Sequence, residues 1–502
     1  MPDPFAWHPE PELIGYRDPV RSRAALEELG REVWGASLDY LYDEAFRRPV
    51  VADAYEEMRN RFFGPSNAPA VAPRQASPSV ELVREFRERI APYVFNAQHG
   101  GSFSYFTAPP LVASIAGEVF SQWIHQGVDV WAAGPIGALV EEEVTAWLRA
   151  LVGFDQGGWG VLTSGGVMAN IMAMTIVRDV HLASRLGLPL DDPPRGGALE
   201  AARIYTSDQT HFSIARAIDL LGFPAECLRV LPSDDRYRLH GEPVADAIEE
   251  DRTAGLVPLA ISAVCGSTNT GSVDLVGELA DVAEANGLWL HVDAAYGGAA
   301  RLSERDAGRA PSLERADSVT IDPHKWFFQA YDIGGLVVKR REDLLRTFHR
   351  EPEYYRYPNP EDAPLNWYQY SIEGTRRFRA LKLWLSWKHL GTEGLGRLIE
   401  ITDDLAAYLV ERLRAVGGFE IEPSEPELSV VCFRHVPGGV ADLDGYQDRL
   451  QRALEVDGAG WVSTTRLRGR TYLRAGVVNY LSTREDVDDV VAALLRLSAS
   501  AR

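Results

Sequence analysis

The segment Ser318-Val319-Thr320-Ile321-Asp322-Pro323-His324-Lys325-Trp326 ends a strand-like apolar run in a turn that presents one lysine between a histidine and a tryptophan. A lysine beside apolar residues is commonly a snorkelling surface cation. A primary amine at the end of a buried strand can instead attack a carbonyl carbon and form a Schiff base. Upstream, His291-Val292-Asp293-Ala294-Ala295-Tyr296-Gly297-Gly298 ends a second such run in a carboxylate followed by two alanines. Asp293 and Lys325 are 32 residues apart (325 − 293), one strand–helix–strand step, so both belong at neighbouring strand ends. The carboxyl ends of such strands are where ligands bind in α/β folds. Ala295 is small enough for a flat ring to lie against it.

Two further stretches fit the same ligand. In Ser207-Asp208-Gln209-Thr210-His211-Phe212-Ser213, His211 follows a strand and can stack on a planar group and exchange protons. Thr163-Ser164-Gly165-Gly166 precedes a helix, so it offers free N–H groups, a hydroxyl and a positive dipole end to a single phosphate. It lacks the lysine and spacing of a Walker A loop and has no GxGxxG, which disfavours a nucleotide. An amine, a carboxylate facing a ring nitrogen, a stacking imidazole and a phosphate cradle together suit pyridoxal 5′-phosphate (PLP). Lys325 would hold it as a Schiff base, and Asp293 would keep the pyridine nitrogen protonated, which makes the ring an electron sink.

The elements that must position these residues follow from patterning. From about residue 160, short apolar strands alternate with helices, and Pro258 to Cys265 is a continuous apolar run of the kind found in buried parallel strands. This predicts a large α/β domain with a mostly parallel sheet covered by helices, over residues 111–385. Residues 1–110 carry charged helical patterns and a Pro/Ala/Ser-rich stretch from Gly64 to Pro78. They read as a helical layer that packs on a partner subunit or on the main domain. Residues 386–502 read as a smaller C-terminal α+β domain, with strands at Leu428 to His435 and Thr471 to Asn479. Residues 349–375, rich in proline and tyrosine, read as an irregular loop or lid. Helices are expected from Arg376 to His389 and from Leu395 to Val416.

With 502 residues the chain exceeds a single core. Its formal net charge of −21 argues against a general nucleic-acid surface, which needs a basic face. The three cysteines, Cys227, Cys265 and Cys432, are widely spaced, so neither a metal site nor a disulfide framework is expected, and a reducing, cytoplasmic setting is. Neither a signal-peptide pattern nor a membrane-length apolar run is visible.

The chain resembles the group II PLP-dependent decarboxylases typified by aromatic-L-amino-acid decarboxylase. The resemblance rests on the segments around Asp293 and Lys325. It is supported by Thr163 to Asn170, Ser207 to His211 and Arg376-Arg377-Phe378-Arg379-Ala380-Leu381-Lys382-Leu383-Trp384, and it runs from about residue 80 to the end. It implies a fold type I PLP-dependent architecture, a homodimer with shared active sites, and carboxy-lyase activity releasing an amine and carbon dioxide. It also implies Lys325 as the Schiff-base lysine, Asp293 on the pyridinium and His211 over the ring, with Ala295 beside it. Ser164, Gly165, Asp322 and His324 fall around the phosphate, and Thr268 near the phenolic oxygen. Tyr354, beside Tyr355, falls at the loop tyrosine that protonates the α-carbon. Tyr105 and Phe106, with Asp129 and Trp131 from a segment of the neighbouring subunit, fall at the substrate pocket; the aromatics there favour tryptophan, tyrosine or dopa, with histidine and non-aromatic amino acids as the alternative. Three departures stand out. Thr107-Ala108 replaces Pro-Thr, Asp129 replaces an apolar residue, and Asp322 replaces an asparagine. Asp129 reads either as a solvent-facing turn residue or, pointing inward, as an acceptor for an indole N–H, a phenol or a cation. An aldehyde synthase on the same scaffold is the competing enzyme, but it usually lacks the loop tyrosine or the stacking histidine. A non-catalytic PLP-fold binding protein predicts a broken constellation, whereas Lys325, Asp293 and His211 are all present. An aminotransferase is disfavoured, since its carboxylate-clamping arginine near the C-terminus has no clear match; Arg474 is the one candidate for it.

Overall fold

The computed structural model describes residues 4–16, 18–43, 48–64, 68–69, 71–189, 194–353 and 365–501. They divide into two compact units, one of residues 1–102, 448–462 and 481–502, the other of 103–447 and 463–480. The first contains the helices Arg21–Tyr42, Tyr55–Phe63 and Ser79–Glu85, and Arg484–Leu497 near the C-terminus. The last begins with a capping box, in which Thr483 and Asp486 satisfy each other's backbone N–H groups. Trp34, Tyr42, Phe62 and Leu82 of the N-terminal helices are exposed. Among the described residues no helix is long and apolar enough to cross a membrane.

The second unit is built on a seven-stranded sheet. Its strands are β1 (Trp159–Thr163), β2 (Ala202–Ser207), β3 (Leu228–Leu231), β4 (Val257–Val264), β5 (Trp289–Asp293), β6 (Ser318–Ile321) and β7 (Gly334–Val338). Their order is β1-β7-β6-β5-β4-β2-β3. The expected alternation of strands and helices yields parallel pairing from β3 through β6. β7 runs antiparallel to both β6 and β1. No crossover helix separates β6 from β7, so the chain turns back beside the strand it has just left. β1 therefore points the same way as β2 to β6, and six carboxyl ends share one edge of the sheet.

β1 is an edge strand, and its free side is covered. Glu141, on the helix Pro135–Val152, accepts from the Leu162 N–H, and Arg376 donates to the Leu162 carbonyl. Both side chains are 1% exposed and ion-paired to each other, so together they stand in for a missing neighbouring strand. Helix packing is also close here. A Cβ on Gly117, in the helix Val112–Ile124, would lie 2.5 Å from the Lys382 Cα. The two helices expected between Arg376 and Val416 form one run, Ala380–Val416, broken at Gly391, whose φ of 67° and ψ of 172° are non-helical.

The smaller sheet is antiparallel throughout. Its strands are β8 (Phe419–Ile421), β9 (Val430–His435), β10 (Ser463–Leu467) and β11 (Arg470–Gly476), in the order β10-β11-β9-β8. Replacing Glu141 with Ala leaves the buried Arg376 charge with only the longer contact to Glu373, at 3.6 Å. Stability should fall by about 3–5 kcal/mol, read as an earlier denaturant midpoint; an unchanged midpoint would rule out a role for the pair in holding β1.

Candidate active site

The carboxyl edge of the large sheet opens into a cavity of about 340 Å³. The turn after β1 contributes Ser164 and Gly165, the segment after β2 contributes His211, and that after β4 contributes Gly266 and Thr268. Asp293 and Ala295 come from the end of β5, and Asp322, His324 and Lys325 from the turn after β6. Phe106 closes part of the wall. Ten of the residues singled out in the sequence thus meet in one place. Tyr105 is 59% exposed and does not line the cavity, and neither do Asp129 and Trp131. The Asp129 carbonyl accepts from the Tyr368 N–H, and the Trp131 N–H donates to Asn366. Tyr354 lies outside the described residues.

The lysine turn is anchored from several sides. The Lys325 N–H donates to the Asp322 carbonyl at 2.9 Å, and the Lys325 Nζ lies 3.3 Å from Asp322 Oδ2. His324 Nδ1 donates to the Ile333 carbonyl at 2.7 Å. Further along, buried Lys382 donates to the carbonyls of Ala330 and Asp332 and pairs with Glu118. Trp326 Nε1 donates to Thr402. The turn that presents the amine is therefore tied at Asp322, Ile333, Ala330 and Asp332.

The opposite requirement, an open cradle, is met by glycine. A Cβ on Gly334 would lie 2.5 Å from the Gly165 Cα and 2.7 Å from Asp322 Oδ1, so the turn after β1 can approach β7 only because position 334 has no side chain. The N–H groups in the first turn of the helix Gly166–Ile176 have no acceptors within the helix. Asp322 Oδ1 is buried and has no hydrogen-bond partner among the described residues.

Aromatic rings form one wall. Phe106 stacks on Tyr296 at 4.2 Å between centroids, and Tyr296 stacks on Trp326 at 4.8 Å. The Lys325 Nζ lies 5.8 Å from the Phe106 ring centre, and the Arg474 guanidinium lies 4.7 Å from it. Arg474, from β11, donates through Nε to the carbonyls of Thr268 and Asn269, and its Nη2 has no partner among the described residues.

The match to known families decides what this arrangement belongs to. Residues 65–436 fit the pyridoxal-dependent decarboxylase conserved domain, well over half of the chain. The chain belongs to that family. It is 30% identical to the aromatic-L-amino-acid decarboxylase of Bacillus atrophaeus, over 85% of this chain and 87% of that protein. It is 34% identical to the cysteine sulfinic acid decarboxylase of Homo sapiens, over 68% of this chain and 69% of that one. The crystal structure of Catharanthus roseus tryptophan decarboxylase in complex with L-tryptophan superposes with a TM-score of 0.84 at 25% identity, covering 96% of this chain and 100% of that one. The chain is accordingly a PLP-dependent amino-acid decarboxylase of fold type I, a carboxy-lyase.

The decarboxylase cavity fits its cofactor by its donor set. It combines a tethered primary amine, a carboxylate at a strand end, a glycine-walled helix N-terminus and a small residue, Ala295, where a ring must lie flat. Asn170 belongs to the Thr163 to Asn170 segment, but its role is not evident from the sequence. Its Nδ2 donates to Asp293 Oδ2 at 2.7 Å and to Ser213 Oγ at 2.8 Å. The available signal was one amide in an otherwise apolar helix, Gly166-Val167-Met168-Ala169-Asn170-Ile171-Met172.

Burial pushes His211 and His324 below the ordinary imidazole value, opposed mainly by Asp293 and Asp322 respectively. Burial pushes His291, behind Asp293, down to about 4 from 6.5. Between those two values the unfolded chain binds the proton and the folded chain does not, so stability falls as pH drops from about 6.5 to about 4. The contribution of His291 to that loss is about 3 kcal/mol. Acid unfolding should steepen in this window, and His291→Gln should flatten it; an equally steep loss in that variant would exclude His291 as the cause.

Proposed function

We propose that this decarboxylase acts on an aromatic L-amino acid, with tryptophan, tyrosine and dopa as the leading substrates. The observation that carries the reading is the aromatic wall beside the lysine amine, Phe106 stacked on Tyr296, with Tyr296 backed by buried Trp326. Flat side chains gain most from such surfaces. Similarity to the Bacillus atrophaeus enzyme over most of both chains supports it. Arg474 supports a second reading, an acidic side chain. A buried guanidinium with an unpartnered Nη2, beside Phe106 and Thr268, suits a carboxylate or sulfinate.

In this reading Lys325 would hold the cofactor through its amine, and Asp293 would face the ring nitrogen. Ser164, Gly165 and His324 would take the phosphate, and Thr268 would lie near the phenolic oxygen. When bound, PLP supplies the electron sink that makes loss of carbon dioxide from the α-carbon feasible. The protein's own part is orientation and proton control. Asp322 holds the lysine ammonium by charge while it is free. Phe106 and His211 line the space above which a planar group would be clamped. Tyr354 is the proposed donor of the proton that replaces carbon dioxide on the α-carbon, giving amine rather than aldehyde. Exposed apolar side chains on three helices, Phe120 and Trp123 on Val112–Ile124, Trp34 on Arg21–Tyr42 and Phe62 on Tyr55–Phe63, support a homodimer, as a lone chain rarely leaves so many uncovered. The three cysteines are buried and free, which supports a cytoplasmic setting.

One set of measurements tests this. The purified protein, with a mass in solution of twice 55.5 kDa, should carry visible absorbance from the cofactor and release amine and carbon dioxide from an aromatic amino acid. Lys325→Ala should lose that absorbance and the turnover, and Tyr354→Phe should keep the absorbance while losing amine. Turnover of cysteine sulfinate or glutamate in preference to tryptophan, tyrosine and dopa would replace the aromatic reading by the acidic one. Aldehyde, ammonia and peroxide as stoichiometric products would overturn simple decarboxylation.

A further inference from the structure

Two groups lining the cavity, His211 and Asp293, are joined through a chain of buried hydrogen bonds whose directions can be worked out from one end. At one end the Ser213 N–H, which can only donate, lies 3.3 Å from His211 Nδ1. Nδ1 therefore carries a lone pair. The Ser213 hydroxyl, 2.8 Å from the same nitrogen, must donate its single proton to it. Ser213 Oγ then has only acceptor capacity left for Asn170 at 2.8 Å, so the group Asn170 turns towards it is the NH₂. The same NH₂ reaches Asp293 Oδ2 at 2.7 Å.

At the other end the Trp289 indole N–H, also donor only, lies 2.9 Å from Ser318 Oγ. Ser318 Oγ has a second lone pair, so Trp289 alone does not fix its bond to His291 Nδ1 at 2.9 Å; Asn170 does, because the oxygen it turns this way can only accept, which puts the proton of neutral His291 on Nε2. That proton points at Asn170 Oδ1, 3.1 Å away, and Thr320 Oγ1 donates to the same oxygen at 2.7 Å. The first end thus sets the direction of the second, and Thr320 is consistent with it. All four hydrogen-bonding positions of Asn170 are filled, and it is 1% exposed, so neither a flip nor water can scramble the order.

We propose that Asn170 and Ser213 are positioning residues that fix neutral His211 as the Nε2–H tautomer and Asp293 as a hydrogen-bond acceptor. The consequence is directional. His211 faces the reactants as a donor at Nε2 and has no free lone pair there to take up a proton. Asp293 accepts from Asn170 at one oxygen and from the Ala295 N–H at the other, so its plane is set before any ligand arrives. One buried amide thus sets the proton placement of two groups that come from different strands. The inference rests on the reading of His211 and Asp293 as groups that face the reacting molecule, but the tautomer itself is independent of that reading.

The test reads the tautomer directly. Histidine-selective ¹⁵N labelling and long-range ¹H–¹⁵N correlation of the protein, with and without PLP, give the protonated nitrogen of each ring, and His211→Gln identifies the resonance. The wild type should show His211 as Nε2–H in both states. Ser213→Ala removes the closer donor and leaves only the 3.3 Å backbone N–H, so a measurable fraction of the Nδ1–H form should appear; Ser213→Thr should restore the wild-type pattern. With the preferred substrate, kcat should fall on the order of tenfold or more in Ser213→Ala, with KM changed far less. Asn170→Ala should shift the tautomer in the same direction, and Ser213→Ala keeps the test decisive if that variant fails to fold. An Nδ1–H tautomer in the wild type, or an unchanged tautomer in Ser213→Ala, would overturn the proposal whatever the cofactor spectrum of Lys325→Ala shows.

Discussion

The register between β5 and β6 is the constraint on which the site depends. It sets His291 opposite Ser318 and Asp293 opposite Thr320. Side chains alternate across a strand, so a slip of one residue would send Asp293 to the other face of the sheet and break every bond it makes. The register is held by more than the ladder. Asn170 binds Asp293 and Thr320 at once, and Ser318 binds His291 and Trp289. These are contacts between side chains that are correct only in one alignment. The polar network behind the cavity therefore specifies the sheet as much as the sheet positions the network.

Lys325 depends on the same strand pair in a different way. β6 ends at Ile321, and the chain returns as β7 without a helix between them. A turn of this length could wander, yet its backbone is fastened by the Lys382 ammonium, whose aliphatic stem and charge are both buried. The glycine at position 334 lets the start of β7 come against the turn after β1. A charged tether and a missing side chain together bring the phosphate-type cradle and the amine to one cavity.

Much of this was legible in the sequence because it is local. Apolar runs ending in Asp293, in the Lys325 turn and before His211 announce strand ends, and strand ends of an α/β sheet gather at one edge. The Thr163-Ser164-Gly165-Gly166 turn announces a helix N-terminus. What escaped is what depends on distant partners. Asn170 meets Asp293 across 123 residues and Thr320 across 150, and no period in the chain encodes those meetings. The antiparallel course of β7 was hidden because its apolar run looks the same in either direction. Glu141 and Arg376 meet across 235 residues to seal the edge of β1, and nothing local in either segment encodes that pairing. Tyr105, next to Phe106 in sequence, was expected to share its role, but adjacent residues face apart and only Phe106 turns inward.

The chain's acidity carries no information about its site, and screening explains why. A formal charge of −21 is spread over a large surface, and at physiological ionic strength its field decays over about 8 Å. Inside the cavity, pairs at contact distance dominate. Lys325 sits 3.3 Å from Asp322, and Arg474 lies against the Phe106 ring with two carbonyls at its Nε. Arg474, behind the Phe106 ring, has no carboxylate partner among the described residues. Burial therefore lowers its affinity for the proton, though not enough to discharge a guanidinium. An uncompensated buried cation is costly unless an anion completes it.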